Sequence, residues 1–311
     1  LALIPTLTDF TFMEEKKAKL FVNAPNALDG NEISRCDTSA AAFQSEQAGI
    51  VDVVADEASI FAQIRELVCM LPPNNEEDPV FEDCTDDLNR VCAEIANCTG
   101  DTAIALSQLA DSGAVFEVKA GYAKEMVTAF IKLNGVTIGA VANRSEVYGE
   151  DGTVTDKFEP VLTPAGCDKA AEFITFCDAF NIPVLSLTNV KGFKADKCSE
   201  KKIAKAAAKL TYAFADATVP KVNVVIGQAY GSAYVTMNSK AIGADITMAW
   251  PDAQIGTMDA KLAAKIICDG QGAEKIEACA KEYASLQTSA SSAAKRGYVD
   301  QIIEPAHTRK Y

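Results

Sequence analysis

Hydrophobic and polar positions along the chain follow two periods, one typical of strands and one typical of helices. Short apolar runs predict buried strands at "KLFVN" (19–23), "IVDVV" (50–54), "VFEV", "PVLSLTNV", "KVNVVIG", "ADITMAW" and "YVDQIIE". Helical spacing is found at 57–71, in "GYAKEMVTAF", in "CDKAAEFITFCDAFN", at about 199–217 and from about residue 258. Asn134-Gly135 predicts a hairpin turn. Strands that alternate with helices predict an α/β fold with crossover connections.

Two features predict how the chain is divided. The stretch "PPNNEEDPVFEDCTDDL" is acidic and rich in proline, which predicts a solvated linker over about 72–98. On either side of it, "LALIPTLTDFTFMEEKKAKLFVNAPNAL" and "GSAYVTMNSKAIGADITMAWPDAQIG" share one order of features, and "AGIVDVV" resembles "RGYVDQII". We therefore expect two related units in one chain.

Composition narrows the classes of function. A net charge of −14 argues against nucleic-acid binding, because phosphates require a basic surface. The one histidine, His307, and ten scattered cysteines without a C-x-x-C motif provide no basis for a Ser-His-Asp triad, a zinc site or another metal site. Several cysteines lie on apolar helical patterns, which favours reduced thiols in a cytoplasmic protein. No apolar run is long enough to span a bilayer.

The stretch "IGQAYGSAYVTMNSK" (226–240) joins a predicted strand to a predicted helix through small residues. Such a junction leaves two or three N–H groups unpaired at the helix start, where the helix dipole adds partial positive charge. These groups would stabilise an oxygen that gains negative charge, as in enolate formation, without a histidine. An alternative remains open, in which Gly231 and Ala233 only allow close helix–sheet packing. A phosphate site has less support, because G-x-x-x-x-G-K-[ST] is missing.

Several ordered blocks carry a family resemblance. They are "ATVPKVNVVIGQAYGSAYVTMNSKAIGADITMAWPDAQIG", "TAFIKLNGVTIGAVANR", "DKAAEFITFCDAFNIPVLSLTNVKGF", "AAAKLTYAFADATVPKV" and the early "IPTLTDFTFM". Together they resemble the carboxyltransferase component of biotin-dependent acyl-CoA carboxylases, of the propionyl-CoA carboxylase beta type, and the related acyl-CoA decarboxylases. The resemblance implies two crotonase-like (ββα-superhelix) units in tandem, the first truncated at its N-terminus. Residues 1–98 would hold the end of the first unit and the linker, and 99–311 the second unit.

The resemblance also implies an activity and partners. Carboxybiotin would exchange a carboxyl group with the α-carbon of a short acyl-CoA, of the acetyl or propionyl type. A decarboxylase α-subunit of the methylmalonyl- or glutaconyl-CoA type would run the same transfer toward biotin. A crotonase-like enzyme without biotin and a non-catalytic scaffold subunit remain as alternatives. Expected partners are a separate biotin carboxyl carrier protein, a biotin carboxylase or membrane decarboxylase subunits, and further copies in a dimer-based oligomer such as a hexamer.

Site residues follow from the resemblance one by one. The backbone N–H groups of Ser232 and Ala233 would hold the ureido oxygen of biotin. Ser232 stands where most members carry glycine, and Val235 stands where many carry an aspartate near the acyl pocket. The segment "VKGF" replaces "VPGF". The implied substrate-binding set is Gly231, Tyr230, Tyr234, Val235, Gly192, Phe193, Leu1 and Ala2, with Leu1 and Ala2 bordering the first unit's oxyanion hole.

Overall fold

The computed structural model describes residues 2–78, 81–149 and 151–311. Its strands are β1 (Phe12–Glu14), β2 (Val53–Ala55), β3 (Val115–Val118), β4 (Met126–Leu133), β5 (Val136–Asn143), β6 (Glu146–Tyr148), β7 (Val154–Lys157), β8 (Val161–Leu162), β9 (Val184–Val190), β10 (Gly192–Phe193), β11 (Lys221–Tyr230), β12 (Ile246–Ala249), β13 (Gln254–Gly256) and β14 (Gln301–Ile302). Its α-helices are α1 (Ala41–Glu46), α2 (Glu57–Met70), α3 (Thr102–Leu109), α4 (Pro164–Ala179), α5 (Lys197–Glu200), α6 (Ile203–Asp216), α7 (Gly231–Thr236), α8 (Ala260–Ile267), α9 (Ala273–Tyr283) and α10 (Ala290–Lys295). A π-helical turn, Ala284–Thr288, connects α9 to α10.

One mixed sheet organises the fold. Its strand order is β14-β12-β11-β9-β5-β4-β3, and β13 pairs with β11 beyond the end of β12. The strands from β5 to β14 run parallel, whereas β3, β4 and β5 are antiparallel. The turn between β4 and β5 has positive φ at both Asn134 (52°) and Gly135 (78°), which is the geometry that the Asn-Gly pair predicts.

Both faces of this sheet are covered. Neighbouring residues of β4 point to opposite faces, so Phe130 joins a core with α4 and α6 while Ile131 joins a second core with α3. Helices α4 and α6 pack on each other and supply buried side chains such as Ile174 and Phe214. Burial on both faces explains why the parallel strands read as nearly continuous apolar runs in the sequence.

The N-terminal region packs against the same core. The Phe10 ring lies 4.8 Å from the ring of Phe176 and 6.1 Å from that of Phe130, centroid to centroid. The backbone N–H of Lys119 donates to the carbonyl of Asp52 at 3.2 Å. Aromatic packing and a main-chain hydrogen bond therefore fix β1 and β2 to the strands that follow the acidic segment.

A pair of strands in the N-terminal region has the same hydrogen bonds as a pair near the C-terminus. Between β1 and β2, the N–H of Thr11 donates to Asp52 Oδ2 (2.7 Å), and the N–H of Asp52 donates back to the Thr11 carbonyl (2.9 Å). Between β12 and β14, Thr247 and Asp300 exchange the same two bonds at 2.9 and 2.8 Å. Both strand pairs are parallel.

Two predictions of local structure are wrong, and a third is right only in part. The run "KLFVN" forms only an isolated bridge from Lys19 to Ala40, and Val22 is 64 % exposed, so no sheet covers it. "GYAKEMVTAF" is a turn followed by β4 rather than a helix start. The lysine-rich segment forms two helices, α5 and α6, because Lys202 leaves helical geometry (φ −126°).

The acidic segment is only partly the solvated linker that its composition predicts. Residues 73–78 are exposed, but Cys92 and Ile95 are buried. Asp86 forms an ion pair with Arg90 (2.9 Å) and lies 3.5 Å from the fully buried guanidinium of Arg309. The acidic side chains are needed here because a buried arginine requires carboxylate partners. The position of the domain boundary itself stays a prediction.

Candidate functional site

The strand-to-helix junction lies where the sequence predicts it. β11 ends at Tyr230 and α7 begins at Gly231, whose φ is +59°. A side chain at Gly231 would be strained, and its Cβ would lie 3.1 Å from the Thr257 carbonyl oxygen. No side chain caps α7, and the first N–H groups of a helix have no partner inside it. Because α7 has only six residues, these individual N–H groups matter more here than a helix dipole.

A cavity of about 450 Å³ lies in front of this junction. Backbone and small side chains form one wall, and aromatic and cationic side chains from the α9–α10 region form the other. The lining residues are Gly231, Ser232, Tyr234, Val235, Ser239, Lys240, Ala241, Ile255, Gly256, Thr257, Tyr283, Gln287, Arg296 and Tyr298.

The charged groups of this lining are cations. Lys240 forms an ion pair with Asp300, whose carboxylate lies outside the lining. Arg296 donates instead to neutral oxygens: the carbonyl of Leu286 (3.3 Å), the carbonyl of Gln287 (3.4 Å) and the side-chain oxygen of Gln287. No carboxylate belongs to the lining within the described residues.

The two tyrosines of the junction have different surroundings. Tyr234 lines the cavity and is 8 % exposed, and its buried hydroxyl has no hydrogen-bond partner within the described residues. Tyr230 does not line the cavity, and its hydroxyl donates to the side-chain oxygen of Gln254. Burial raises the pKa of each phenol to about 12, so both stay neutral at physiological pH. Tyr230 therefore acts in packing, whereas Tyr234 offers an unused polar group.

The predicted site residues are only partly brought together. Gly231, Ser232, Tyr234 and Val235 share the cavity. Ala233 follows directly in α7, but it is 1 % exposed and its side chain belongs to the core rather than to the lining.

The remaining predicted residues lie elsewhere. Gly192 and Phe193 form β10, which pairs with β8 and contacts α7 from outside the cavity. Ala2 is buried, donates its N–H to the Phe21 carbonyl at 3.1 Å and does not line the cavity. Leu1 lies outside the described residues.

Several lining residues were not singled out in the sequence. Tyr283, Gln287, Arg296 and Tyr298 come from the α9–α10 region, which helical spacing describes only as helices. One signal was present, because Arg296 and Tyr298 lie in the stretch "KRGYVDQI", which overlaps the repeated "RGYVDQII". The repeat indicated that this segment belongs to the fold, but no pattern of residues predicted that it would lie beside Gly231.

A second cavity, of about 610 Å³, lies between the N-terminal region and α4. Asp52, Lys119, Lys169 and Glu172 line it. Lys169 is 2 % exposed, and its Nζ donates to the carbonyls of Lys119 and Tyr122, both at 2.8 Å. Burial lowers the pKa of Lys169 to about 7. This cavity thus contains charged groups of both signs, unlike the one at the junction.

Two classes of feature were searched across the described ranges 2–78, 81–149 and 151–311. No three or more His, Cys, Asp or Glu side chains gather there in a way that could hold a metal ion. None of the helices in these ranges has the length and apolar character needed to cross a membrane.

Comparison with known proteins identifies the family. The family model described as "Carboxyl transferase domain" matches residues 2–311. The propionyl-CoA carboxylase beta chain of Saccharopolyspora erythraea is 36 % identical over 98 % of this chain and 60 % of its own length. The methylmalonyl-CoA carboxyltransferase 12S subunit of Propionibacterium freudenreichii subsp. shermanii shows the same three values. The methylmalonyl-CoA decarboxylase subunit alpha of Veillonella parvula is 33 % identical over 98 % of this chain and 60 % of its own length.

Solved structures agree with the sequence matches. The transcarboxylase 12S structure with hydrolysed methylmalonyl-coenzyme A superposes with a TM-score of 0.89 at 32 % identity, covering 99 % of this chain and 61 % of that one. A single-chain, multi-domain long-chain acyl-CoA carboxylase shares the fold, with a TM-score of 0.78 at 22 % identity over 99 % of this chain and 30 % of that one. This chain spans about three fifths of the length of the curated relatives named above. With this mixed α/β fold and a match over nearly its whole length, the chain belongs to the carboxyl transferase domain family.

Proposed function

We propose that this protein moves a carboxyl group between carboxybiotin and the α-carbon of a short acyl-CoA of the acetyl or propionyl type. Family membership supports the reaction class, and the relatives include propionyl-CoA carboxylase beta chains. One observation carries the proposal: Gly231, at the start of α7, has a φ of +59° and lines a cavity of about 450 Å³.

The cavity has the groups that a cyclic urea requires. A urea oxygen needs N–H donors, and the start of α7 provides them at Ser232 and, one residue further, Ala233. The apolar part of a fused ring needs apolar walls, which Val235, Ile255 and the tyrosine rings provide. When bound, carboxybiotin would supply the carboxyl group and a urea oxygen that gains negative charge as that group leaves.

In this proposal the chain acts through its backbone. The N–H groups of Ser232 and Ala233 donate to the urea oxygen, and each such donor lowers a barrier by roughly 3–4 kcal/mol. The absence of a side chain at Gly231 allows close approach. Ala2 would border a second oxyanion hole that holds the thioester oxygen of the acyl-CoA, which the cavity at Gly231 does not include.

We further propose two related crotonase-like units, the first represented by the region before the acidic segment and the second by residues 99–311. The matching hydrogen bonds of Thr11 with Asp52 and of Thr247 with Asp300 support this division. The transcarboxylase 12S structure is described as a hexamer assembly. A homo-oligomer is supported here by α8, whose Leu262 and Ile266 are 52 % and 62 % exposed, because large exposed apolar side chains favour an interface.

The direction of transfer and the partners belong to the same proposal. A separate biotin carboxyl carrier protein would present biotin, and a biotin carboxylase would recharge it in the cytoplasm. Relatives named methylmalonyl-CoA decarboxylase subunit alpha, at 33 % identity, favour a second candidate. In that candidate, transfer runs from a carboxylated acyl-CoA to biotin, and membrane decarboxylase subunits replace the carboxylase.

The test is carboxyl exchange by the intact protein with Gly231→Ala. N-carboxybiotin is the carboxyl donor for acetyl- and propionyl-CoA, and biotin is the carboxyl acceptor for malonyl- and methylmalonyl-CoA. Alanine cannot hold φ +59° without strain and would press on the Thr257 carbonyl, so the N–H groups shift. We expect turnover to fall about 100-fold or more. Ser232→Ala keeps every N–H group and should stay within about threefold of the unmodified protein.

A single cooperative thermal transition and unchanged acyl-CoA binding serve as controls for an intact fold, since the strain in Gly231→Ala should lower the melting temperature by only about a few degrees. Unchanged turnover in a folded Gly231→Ala variant would reject the junction as the reactive site. Absence of exchange in the unmodified protein with each of these thioesters would reject the proposed function and favour a scaffold subunit.

A further inference from the structure

Arg296 is a positioned cation without a counter-ion. A guanidinium has five N–H donors, and three of them bond to the carbonyls of Leu286 and Gln287 and to the Gln287 side chain. Five minus three leaves two donors, and Arg296 forms no ion pair within the described residues. All three acceptors are neutral, so the guanidinium is held in place without a carboxylate partner, and it is exposed at the mouth of the cavity, where water solvates it.

The lining around Arg296 differs in charge from the chain as a whole. The chain carries 43 acidic and 29 basic residues, yet the lining of the junction cavity that the structure describes contains only cations, Lys240 and Arg296. Lys240 is neutralised by Asp300. An exposed arginine that is fixed by neutral oxygens in a lining without carboxylates favours an anionic ligand, because the planar guanidinium matches a carboxylate in charge and geometry.

The other polar groups of the cavity also favour an anionic ligand. The first N–H groups of α7 are donors, and the Tyr234 hydroxyl, which is buried beside the cavity, has no partner within the described residues. An anion offers acceptors to each of these groups. The cavity therefore differs from the one around Asp52, where acids and lysines are mixed.

We propose that Arg296 recognises a carboxylate in the junction cavity and so distinguishes carboxylated from uncarboxylated ligands. This inference rests on the proposed function, which supplies two sources of a carboxylate. One is the carboxyl group on the urea nitrogen of biotin, and the other is the carboxyl group of a malonyl-type thioester. Arg296 acts in binding and takes no part in bond making.

A structural role for Arg296 predicts a different result. Its hydrogen bonds also join the end of α10 to the π-helical turn. If this were its whole role, loss of the side chain would weaken all ligands alike and lower the melting temperature. Recognition of a carboxylate predicts a selective loss that leaves uncarboxylated ligands unchanged.

The experiment is calorimetric titration of the intact protein with matched ligand pairs. Malonyl-CoA and acetyl-CoA share every phosphate and differ in one carboxylate. Freshly prepared N-carboxybiotin methyl ester and biotin methyl ester also differ in one carboxylate. Methyl esters are used because the valerate tail of biotin carries a carboxylate of its own. The variants are Arg296→Gln, Arg296→Lys and, as the control, Lys295→Gln, which removes the same charge from the exposed neighbouring residue outside the cavity.

We expect Arg296→Gln to weaken the carboxylated member of one pair about tenfold or more, with less than a twofold change in its partner. Arg296→Lys should recover only part of the loss, because it restores the charge but not the fork. The pair that responds identifies the source of the carboxylate. Equal loss in both members of each pair, no loss in either, or the same selectivity in Lys295→Gln would overturn the proposal. These titrations need no turnover, so they are separate from the exchange assay that tests the proposed function.

Discussion

Two aspartates have the same backbone hydrogen bonds at opposite ends of the fold, yet their carboxyl groups have opposite tendencies. Asp52 joins β2 to β1 and Asp300 joins the start of β14 to β12, each through one bond to and one bond from a threonine backbone. Burial raises the pKa of Asp52 to about 6, although the Thr11 N–H opposes the shift. Lys240 and then the Thr247 N–H lower the pKa of Asp300. Equal main-chain geometry therefore does not determine the charge state.

The neighbours of each carboxylate explain the difference. Lys240 lies seven positions before Thr247 and pairs with Asp300, whereas Ile4 occupies the position seven before Thr11. Asp52 is 6 % exposed and faces Lys119 and Glu172 across the second cavity. Lys119 is itself paired with Glu172 at 3.0 Å, so its attraction for Asp52 is partly cancelled. Because Asp52 has no cation of its own, burial determines the direction in which its pKa shifts.

The largest expected effect comes from the two glycines that precede these aspartates by three positions. Gly49 and Gly297 both have positive φ, 66° and 79°. A Cβ at Gly49 would lie 2.8 Å from the Tyr122 ring, whereas nothing lies within 4 Å of a Cβ at Gly297. Gly49→Ala should lower the free energy of unfolding by about 2–4 kcal/mol, through strain and overpacking together. Gly297→Ala, with strain alone, should cost about 1 kcal/mol. Urea unfolding of both variants measures the difference.

Equal losses in the two glycine variants would mean that the N-terminal region does not press on Tyr122 in solution. The contrast between Asp52 and Asp300 would then be lost, because Asp52 would not have the contacts that bury it. The m-value should stay constant in both variants, which would show that the surface exposed on unfolding is unchanged.

The second effect concerns the charge of Asp52. Its folded pKa of about 6 lies above the unfolded value of about 3.9, so the folded state holds its proton longer. The stability that the protonated form contributes is fully present below about pH 4 and is lost as the pH rises through 6. Asp52→Asn removes this loss and keeps the bond from Thr11. We expect the variant to match the unmodified protein at pH 4 and to exceed it by up to about 3 kcal/mol at pH 8.

Urea unfolding at intervals from pH 4 to 8 measures this dependence. Asp29→Asn, which removes an exposed carboxylate that forms no ion pair within the described residues, is the matched control and should show no such trend. If Asp52→Asn were less stable than the unmodified protein at pH 8, Lys119 would be a stronger partner than its pairing with Glu172 suggests.

The fold was predictable where local pattern and burial agree. The Asn134-Gly135 turn, the helix at α4 and the strands β9 and β11 have strong periodicity and bury both faces or one full stripe, so their sequences leave few alternatives. The strand predicted at "KLFVN" was wrong because apolar character does not show whether a neighbouring strand exists. The buried half of the acidic segment was missed because its partner, Arg309, lies more than 200 residues away.

Only one wall of the junction cavity could be predicted from the sequence. Gly231 and Ser232 are neighbours in sequence, and small residues after a strand indicate an open helix start. Arg296 and Tyr283 reach the same cavity from a separate helical region. Their approach depends on how the π-helical turn and α10 pack against β13, and periodicity carries no information about such long-range placement. The same limit explains why Asp52 and Asp300 were not distinguished, since Lys240 acts through space.

The smallest effect is expected at Asp300, and its sign is opposite to that at Asp52. Its folded pKa is lowered, so its contribution is present above the unfolded pKa and is lost as the pH falls through the folded value. The carboxylate is about one third exposed, so solvent screens the pair with Lys240. Asp300→Asn should therefore cost only about 0.5–1 kcal/mol at pH 7 and less at pH 3. A double-mutant cycle with Lys240→Gln isolates the ion pair from the retained Thr247 bond. Stabilisation by Asp300→Asn at pH 7 would show that the two aspartates behave alike and that the lysine does not make the difference.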